Sequence, residues 1–232
     1  EGGRKDNAIP RECKALLCIP QQDIQKVTQA LADLEKNLAN EYAVTDAAIR
    51  MRTEQENVPL PLKMLDSDST ERAVLLLLAL PNGIQTMSAD VKGLVETSLN
   101  LGVLKLDTQE LSLCYAVRSS VSSAKEALLD KMTWLTEGLG GAAERSGDYP
   151  AWEYCADSKI RSKITEVYRG MFGQEPVFEA IHAGLECGMF CGKIKGLDAV
   201  SFGPDNFDIH TPKERLSISS AERVYRFLIA LL

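Results

Sequence analysis

Leu111, Leu113, Tyr115 and Val117 fall on alternate positions of the run Glu110 to Arg118, and a second β-type run, Gly93 to Leu106, precedes it across Asp107-Thr108-Gln109. A period of two over both runs, with a polar break between, predicts an antiparallel hairpin. An antiparallel sheet buries one face, so helices must supply its cover. Helical signals lie on both sides. Ile24, Val27, Leu31, Leu34 and Leu38 form one apolar stripe. Asp68 and Glu71 are spaced as a capping box for a helix from Ser69 to Leu80, stopped by Pro81-Asn82-Gly83. Ser123 and Glu126 have the same spacing before the stripe Leu128, Met132, Leu135 and Leu139. Glu12 to Ile19 reads as a further strand, and Val58 to Met64, with Pro59 and Pro61 on one parity, as an edge strand. The order is strand, helix, strand, helix, hairpin, helix: an α+β domain with an antiparallel sheet.

The texture changes after Gly147-Asp148-Tyr149-Pro150-Ala151-Trp152. Ser158 opens a helix with Ile160, Ile164, Val167, Tyr168 and Met171 on one side, and Ser219 with Glu222 caps a last helix carrying Val224, Phe227, Leu228 and Leu231. Val177 to His182 and Ala199 to Phe202 read as short buried strands followed by glycine-rich loops. This alternation predicts a piece of an α/β sheet with functional loops at strand ends. The expected division is therefore α/β overall, with an α+β domain over 1–143 and part of an α/β domain over 144–232.

Charge excludes one class of partner. A net charge of -7 over 232 residues and a pI near 5.0 leave no Lys/Arg cluster to neutralise phosphates, so no nucleic acid is expected. The longest apolar run, Ala73 to Leu80, is far short of the roughly 20 residues that span a bilayer, so no membrane insertion is expected. Cys13, Cys18, Cys114, Cys155, Cys187 and Cys191 lie in apolar patterns, which favours reduced core or near-core thiols and a cytoplasmic setting. Glu1-Gly2-Gly3-Arg4 has no methionine, basic n-region or apolar h-region; the expectation is a chain that starts inside a longer protein.

The residues with chemistry in reach are few. His182 stands in Ile181-His182-Ala183-Gly184-Leu185-Glu186-Cys187-Gly188, and His210 follows Ser201-Phe202-Gly203-Pro204 in a polar loop with Thr211-Pro212. A neutral imidazole at His210 can coordinate a metal, with Asp205 or Asp208 to orient it, or simply be solvated. His182 and Glu186 are four apart, but Gly184 and Gly188 favour a loop over a helical zinc pair. Glu186, read from the residues alone, holds that loop by hydrogen bonds as a buried carboxylate. Arg118 interrupts a mostly neutral strand and suits bidentate capture of a carboxylate, or a surface ion pair. Asn7 and Asn100, read from the residues alone, are turn-forming side chains. Cys187 and Cys191 have no second pair to complete a zinc site, and a thiol mechanism lacks an evident base.

Taken in order, Asn7-Ala8-Ile9-Pro10-Arg11-Glu12, Val95-Glu96-Thr97-Ser98-Leu99-Asn100, Tyr149-Pro150 with Trp152, His182-Ala183-Gly184-Leu185-Glu186-Cys187-Gly188 and His210-Thr211-Pro212 resemble the aminoacyl-histidine dipeptidases, the carnosinase-like branch of the dinuclear zinc exopeptidases. The resemblance is to their C-terminal half, a lid domain plus the end of the catalytic domain. It implies two zinc ions per complete site, which polarise a dipeptide carbonyl and generate hydroxide, with His210 as one metal ligand. Arg118, Glu186, Asn7, Asn100 and His182 would line the substrate pocket. No catalytic residue is expected in this chain: the base and the other ligands come from motifs N-terminal to the lid. Thr211, where serine is common, and Lys213-Glu214, where an acidic pair is common, depart from the pattern. The parent activity implied is hydrolysis of Xaa-His or related peptides, the chain alone being inactive. The alternatives are a non-catalytic folding and association module, including a homo-oligomer, or a related exopeptidase with another peptide substrate.

Overall fold

The computed structural model describes residues 1–56, 58, 63–180 and 185–232. Its elements in order are α1 (Ile24–Glu41), α2 (Ser67–Ala79), β1 (Gly83–Met87), β2 (Val95–Leu106), β3 (Leu111–Ser119), α3 (Ser122–Gly138), α4 (Lys159–Phe172), α5 (Glu186–Lys193), β4 (Asn206–Phe207), β5 (Arg215–Leu216) and α6 (Ile218–Leu231). β1, β2 and β3 form one antiparallel sheet in that order, and β4 and β5 a separate small one.

The predicted hairpin is β2 and β3. Its turn is closed by the Asp107 carboxylate, which accepts the backbone N–H groups of Gln109 and Glu110 at 2.7 and 3.0 Å. Thr97 and Leu99 are both 2% exposed, so one face of the hairpin is covered; α3 packs against β3, and α2 against α3. β1 is a strand that the sequence reading missed. It begins on the glycine that ends the helical signal, and all five of its residues are exposed, so no alternation marks it.

Helix starts differ from expectation where another acceptor is nearer. The Asp66 carboxylate accepts Ser69 N–H at 2.7 Å and starts α2 two residues early, while Asp68 pairs instead with Arg72 at 2.9 Å. Ser123 does not cap α3. The first N–H of that helix, on Ser122, is taken by the Glu153 carboxylate at 3.1 Å. Ser158 caps α4 as expected, accepting Arg161 N–H at 3.1 Å. Ser217, not Ser219, caps α6.

Four predicted strands form no ladder among the described residues. Over Glu12 to Ile19 the only pairing is a bridge between Cys13 and Gly2, and Leu16 and Leu17 stand exposed. Val58, Lys63 and Met64 are outside any ladder, and the rest of that predicted edge strand lies outside the described residues. Val177 to Ala180 and Ala199 to Phe202 also have no ladder; Val177 is 83% exposed. A β-type run becomes a strand only where a neighbour supplies hydrogen bonds along it; among the described residues Glu1 and Gly3 bond only Glu12 and Lys14, and no ladder continues from there.

Of the loop expected over Ala183 to Gly188, Ala183 and Gly184 lie outside the described residues, and from Glu186 onward the chain is α5. Its glycines are there for approach rather than for flexibility. A Cβ on Gly192 would lie 2.5 Å from Pro150 Cγ, and one on Gly188 3.0 Å from the Pro150 carbonyl oxygen, so the helix seats directly on the Pro150–Trp152 segment. α4 and α6 pack together around Phe227, whose ring meets Tyr168 at 5.7 Å, Phe172 at 6.3 Å and Phe202 at 5.4 Å between centroids.

The buried apolar residues among those described are few: Leu80, Leu99, Leu128, Ile164 and Phe227. The accessible surface is 18009 Å², where a compact monomer of this mass exposes about 10,000 Å². The α1 stripe forms as predicted, yet none of its residues is buried. All six cysteines are free, and Cys13, Cys18, Cys114 and Cys155 are exposed rather than near a core.

Candidate functional site

Strand pleat sorts the sheet residues. Ser98 pairs with Arg118 and Asn100 with Ala116, so these four side chains share one face, opposite to buried Thr97 and Leu99. Arg118 and Asn100 are diagonal neighbours there, about 7–8 Å apart by sheet geometry. Asn7 comes to the same place by a different route. Gly2 and Leu104 exchange backbone hydrogen bonds at 2.9 and 2.8 Å, which lays the N-terminal segment beside β2. The Asn100 amide then donates to the carbonyls of Asp6 and Ala8 at 3.2 and 3.3 Å, one on either side of Asn7. Three of the six candidate residues are thus gathered. Arg118 is half-buried and Asn7 exposed.

The bulge between Leu101 and Val103 leaves Gly102 unpaired. Asn82, which the sequence reading took only as a helix stop, fills a gap on that edge: its Oδ1 accepts Leu101 N–H at 3.0 Å.

His210 is carried by the β4–β5 hairpin, which sequence reasoning did not find. Both strands are two residues long, too short for periodicity to register. The loop between them holds the non-glycine residues with positive φ among those described, Asp208 at 52° and His210 at 66°. Such conformations are costly outside glycine and cluster at functional sites. The surroundings enforce them: Asp208 pairs with Arg215 at 2.7 Å, Thr211 Oγ1 donates to the Asp208 carbonyl at 2.7 Å, and the Glu214 carboxylate accepts His210 N–H at 3.1 Å. Asp208 and Glu214 are therefore spent on Arg215 and on the His210 backbone, and Asp205 pairs with Arg223 at 3.5 Å.

The path into the hairpin is anchored twice. Ser220, 2% exposed, accepts Asp205 N–H on its hydroxyl at 2.6 Å. Further back, Asp198 accepts Ile160 N–H at 3.0 Å and the Ser158 hydroxyl at 2.7 Å, tying the segment after α5 to the start of α4. The Ile160 N–H first, then the Ser158 hydroxyl, holds the Asp198 carboxyl below the usual carboxylate range. A lowered folded-state pKa adds stability that is complete above the ordinary value and is lost as pH falls through the lowered one. Asp198→Asn is accordingly expected to melt earlier than wild type at pH 7, with the gap closing below about pH 4, read from thermal melts across pH 3–7. A gap that stays constant with pH would refute the assignment.

Glu186 opens α5, where a carboxylate complements the helix N-terminus. It is exposed, so the buried, loop-holding alternative does not apply. Burial, then Cys191 and Glu186, pushes the Cys187 thiol up, which disfavours the thiolate a nucleophile needs. His182 lies outside the described residues. Among the described residues no group of three His, Cys, Asp or Glu side chains is placed to hold a metal ion. His210 offers one donor; the described residues do not by themselves fit a metal centre.

No protein-family model matches the chain. It is 31% identical over 231 residues to the cytosol non-specific dipeptidase of Escherichia coli, covering all of this chain and 47% of that protein. The crystal structure of aminoacylhistidine dipeptidase from Vibrio alginolyticus superposes with a TM-score of 0.90 at 32% identity, over 99% of this chain and 46% of the other. The aminopeptidase PepT of Bacillus cereus shares the fold over 70% of this chain and 44% of its own, with a TM-score of 0.55 and 18% identity. The chain thus has the fold of a dipeptidase and spans about half the length of the relatives it matches.

Proposed function

We propose that this chain is the C-terminal half of a metal-dependent cytosolic dipeptidase, with Xaa-His dipeptides as the favoured substrate. Residues 1–143 would form the lid and 144–232 the end of the catalytic domain. The observation that carries the reading is the gathering of Arg118, Asn100 and the loop that holds Asn7 at one face of one sheet, in a chain similar throughout its length to two dipeptidases.

The chemistry divides by residue. The Arg118 guanidinium, on a rigid strand, presents a planar fork that matches the C-terminal carboxylate of a short peptide. That pairing would set substrate length, since the scissile carbonyl must lie one residue from the clamp. Asn7, at the rim, would hydrogen-bond the peptide backbone. Glu186 would attract an ammonium or imidazolium group, and His182 would complete the pocket wall. His210, pinned by its hairpin, would give one imidazole to the metal site. Zinc, when bound, would polarise the carbonyl and supply hydroxide. The remaining ligands and the base that takes the proton would lie in the half of the relatives that this chain does not span.

One further observation supports a second role for the same chain. Its surface is far larger than that of a compact monomer, and segments with strand character find no ladder. An association module, docking on the other half or on a second copy, accounts for that exposed apolar area.

The test is hydrolysis of an Xaa-His dipeptide by the whole protein and by this chain, with zinc titrated into each by calorimetry. Turnover and stoichiometric zinc in the whole protein, with neither in the chain, is the expected pattern. Tight zinc binding or hydrolysis by the chain alone would overturn the division of the site.

A further inference from the structure

We infer that Asn100 is a positioning residue: it aims Asn7 at the substrate and does not itself bind it. The inference rests on the proposed reading that this sheet face meets the peptide, and it separates two asparagines that sequence alone treats alike.

A side-chain amide has two N–H groups. Both of Asn100's are engaged, with the Asp6 carbonyl at 3.2 Å and the Ala8 carbonyl at 3.3 Å. Carbonyl oxygens only accept, so the amide is oriented with its nitrogen toward the loop. Asn7 lies between those two carbonyls. Its backbone N–H is closed onto the Asp6 carboxylate at 2.8 Å, and Ala8 N–H bonds the Lys5 carbonyl at 3.4 Å. The Asn7 side chain itself makes no hydrogen bond among the described residues and is exposed. One asparagine has its donors spent on the scaffold; the other has its amide held out to solvent.

Gly102 is the second half of the clamp. A Cβ there would fall 2.2 Å from the Asp6 oxygen and 2.5 Å from the Lys5 oxygen. Only glycine lets the loop come close enough for Asn100 to reach both carbonyls. Gly3 makes the reciprocal approach, with a φ of 73° and a Cβ position 1.9 Å from the Gly102 oxygen. The bulge at Gly102 is therefore a seat for the Asn7 loop, in keeping with glycines in strands at close backbone contacts.

The test is a double-mutant cycle in the whole protein, read as kcat/KM for an Xaa-His dipeptide, with Asn7→Ala, Asn100→Ala and the pair. A misplaced group costs up to about a hundredfold. Asn100→Ala is expected to lose as much as Asn7→Ala, and the double variant no more than either. Asn100→Asp, which keeps the shape but cannot donate, should match Asn100→Ala, and Gly102→Ala should match both without removing any polar group. Losses that multiply in the double variant, or an Asn100→Asp enzyme with wild-type activity, would overturn the proposal. A second readout needs no hydrolysis. Backbone order parameters at Asn7 and Ala8 should fall from about 0.85 to below 0.6 in Asn100→Ala and Gly102→Ala, and stay high in Asn7→Ala. If wild type cleaves no dipeptide, the functional reading fails while the order parameters still decide this one. Unchanged order parameters in Asn100→Ala would sink it.

Discussion

Replacing His210 with asparagine in the whole protein is expected to lower kcat/KM for dipeptide hydrolysis by more than about a hundredfold, because groups that merely orient a metal ligand already cost 10–100-fold when lost. Asparagine is the informative substitution. The residue sits at a φ of 66°, a region that asparagine, like histidine, populates more readily than alanine. His210→Asn therefore removes the imidazole and leaves the hairpin, whose ion pair between Asp208 and Arg215 and hydrogen bond from His210 N–H to Glu214 involve no ring atom. The expected signature is loss of one zinc per protein by calorimetry, with an unchanged melting temperature. Arg215→Ala should act differently, loosening the hairpin and lowering metal affinity while the ligand remains. Full activity in His210→Asn would remove His210 from the metal site and leave only Arg118 and the asparagines as support for the proposed activity.

How far the sequence spoke depended on the length over which a pattern could repeat. The β2–β3 hairpin and the long helices carry enough residues for period to show, and they stand within a few residues of where the periodicity places them. β4 and β5, two residues each, and the fully exposed β1 carry no such pattern. Gly188 misled for a physical reason: glycine signals either a free backbone or a close neighbour, and only the position of Pro150 tells which. The caps moved for a similar reason, since Glu153 reaches Ser122 from 31 residues away. Arg118 and His210 stand out as candidates from residue type alone. That Asn100 meets the loop around Asn7, across a separation of 92 to 94 residues, was not, because no local rule links them.

The second large effect concerns what holds the His210 hairpin up. Phe227, 6% exposed, is the residue on which α4, α6 and the segment before the hairpin converge, through Tyr168, Phe172 and Phe202. Phe227→Ala removes the shared partner of three rings, and truncations of this kind cost about 3–5 kcal/mol. In a chain with so few buried apolar residues, that is a large part of the roughly 5–15 kcal/mol that domains have in total. The expected result is a fall in melting temperature of roughly 6–20 °C, with loss of near-ultraviolet circular dichroism from the aromatic cluster. Tyr225→Ala, on the same helix but 65% exposed, should change stability by no more than about 0.5 kcal/mol. The consequence reaches the site, because Phe202 precedes Asp205, and Asp205 is tied to Ser220 on α6. Without the ring of Phe227, the Asp205 tether depends on a helix that has lost its main apolar anchor, and only the Asp198 tether to the start of α4 is spared. Zinc affinity of the whole protein should then fall along with stability; equal losses of stability in Phe227→Ala and Tyr225→Ala would show that the cluster is not what supports the hairpin.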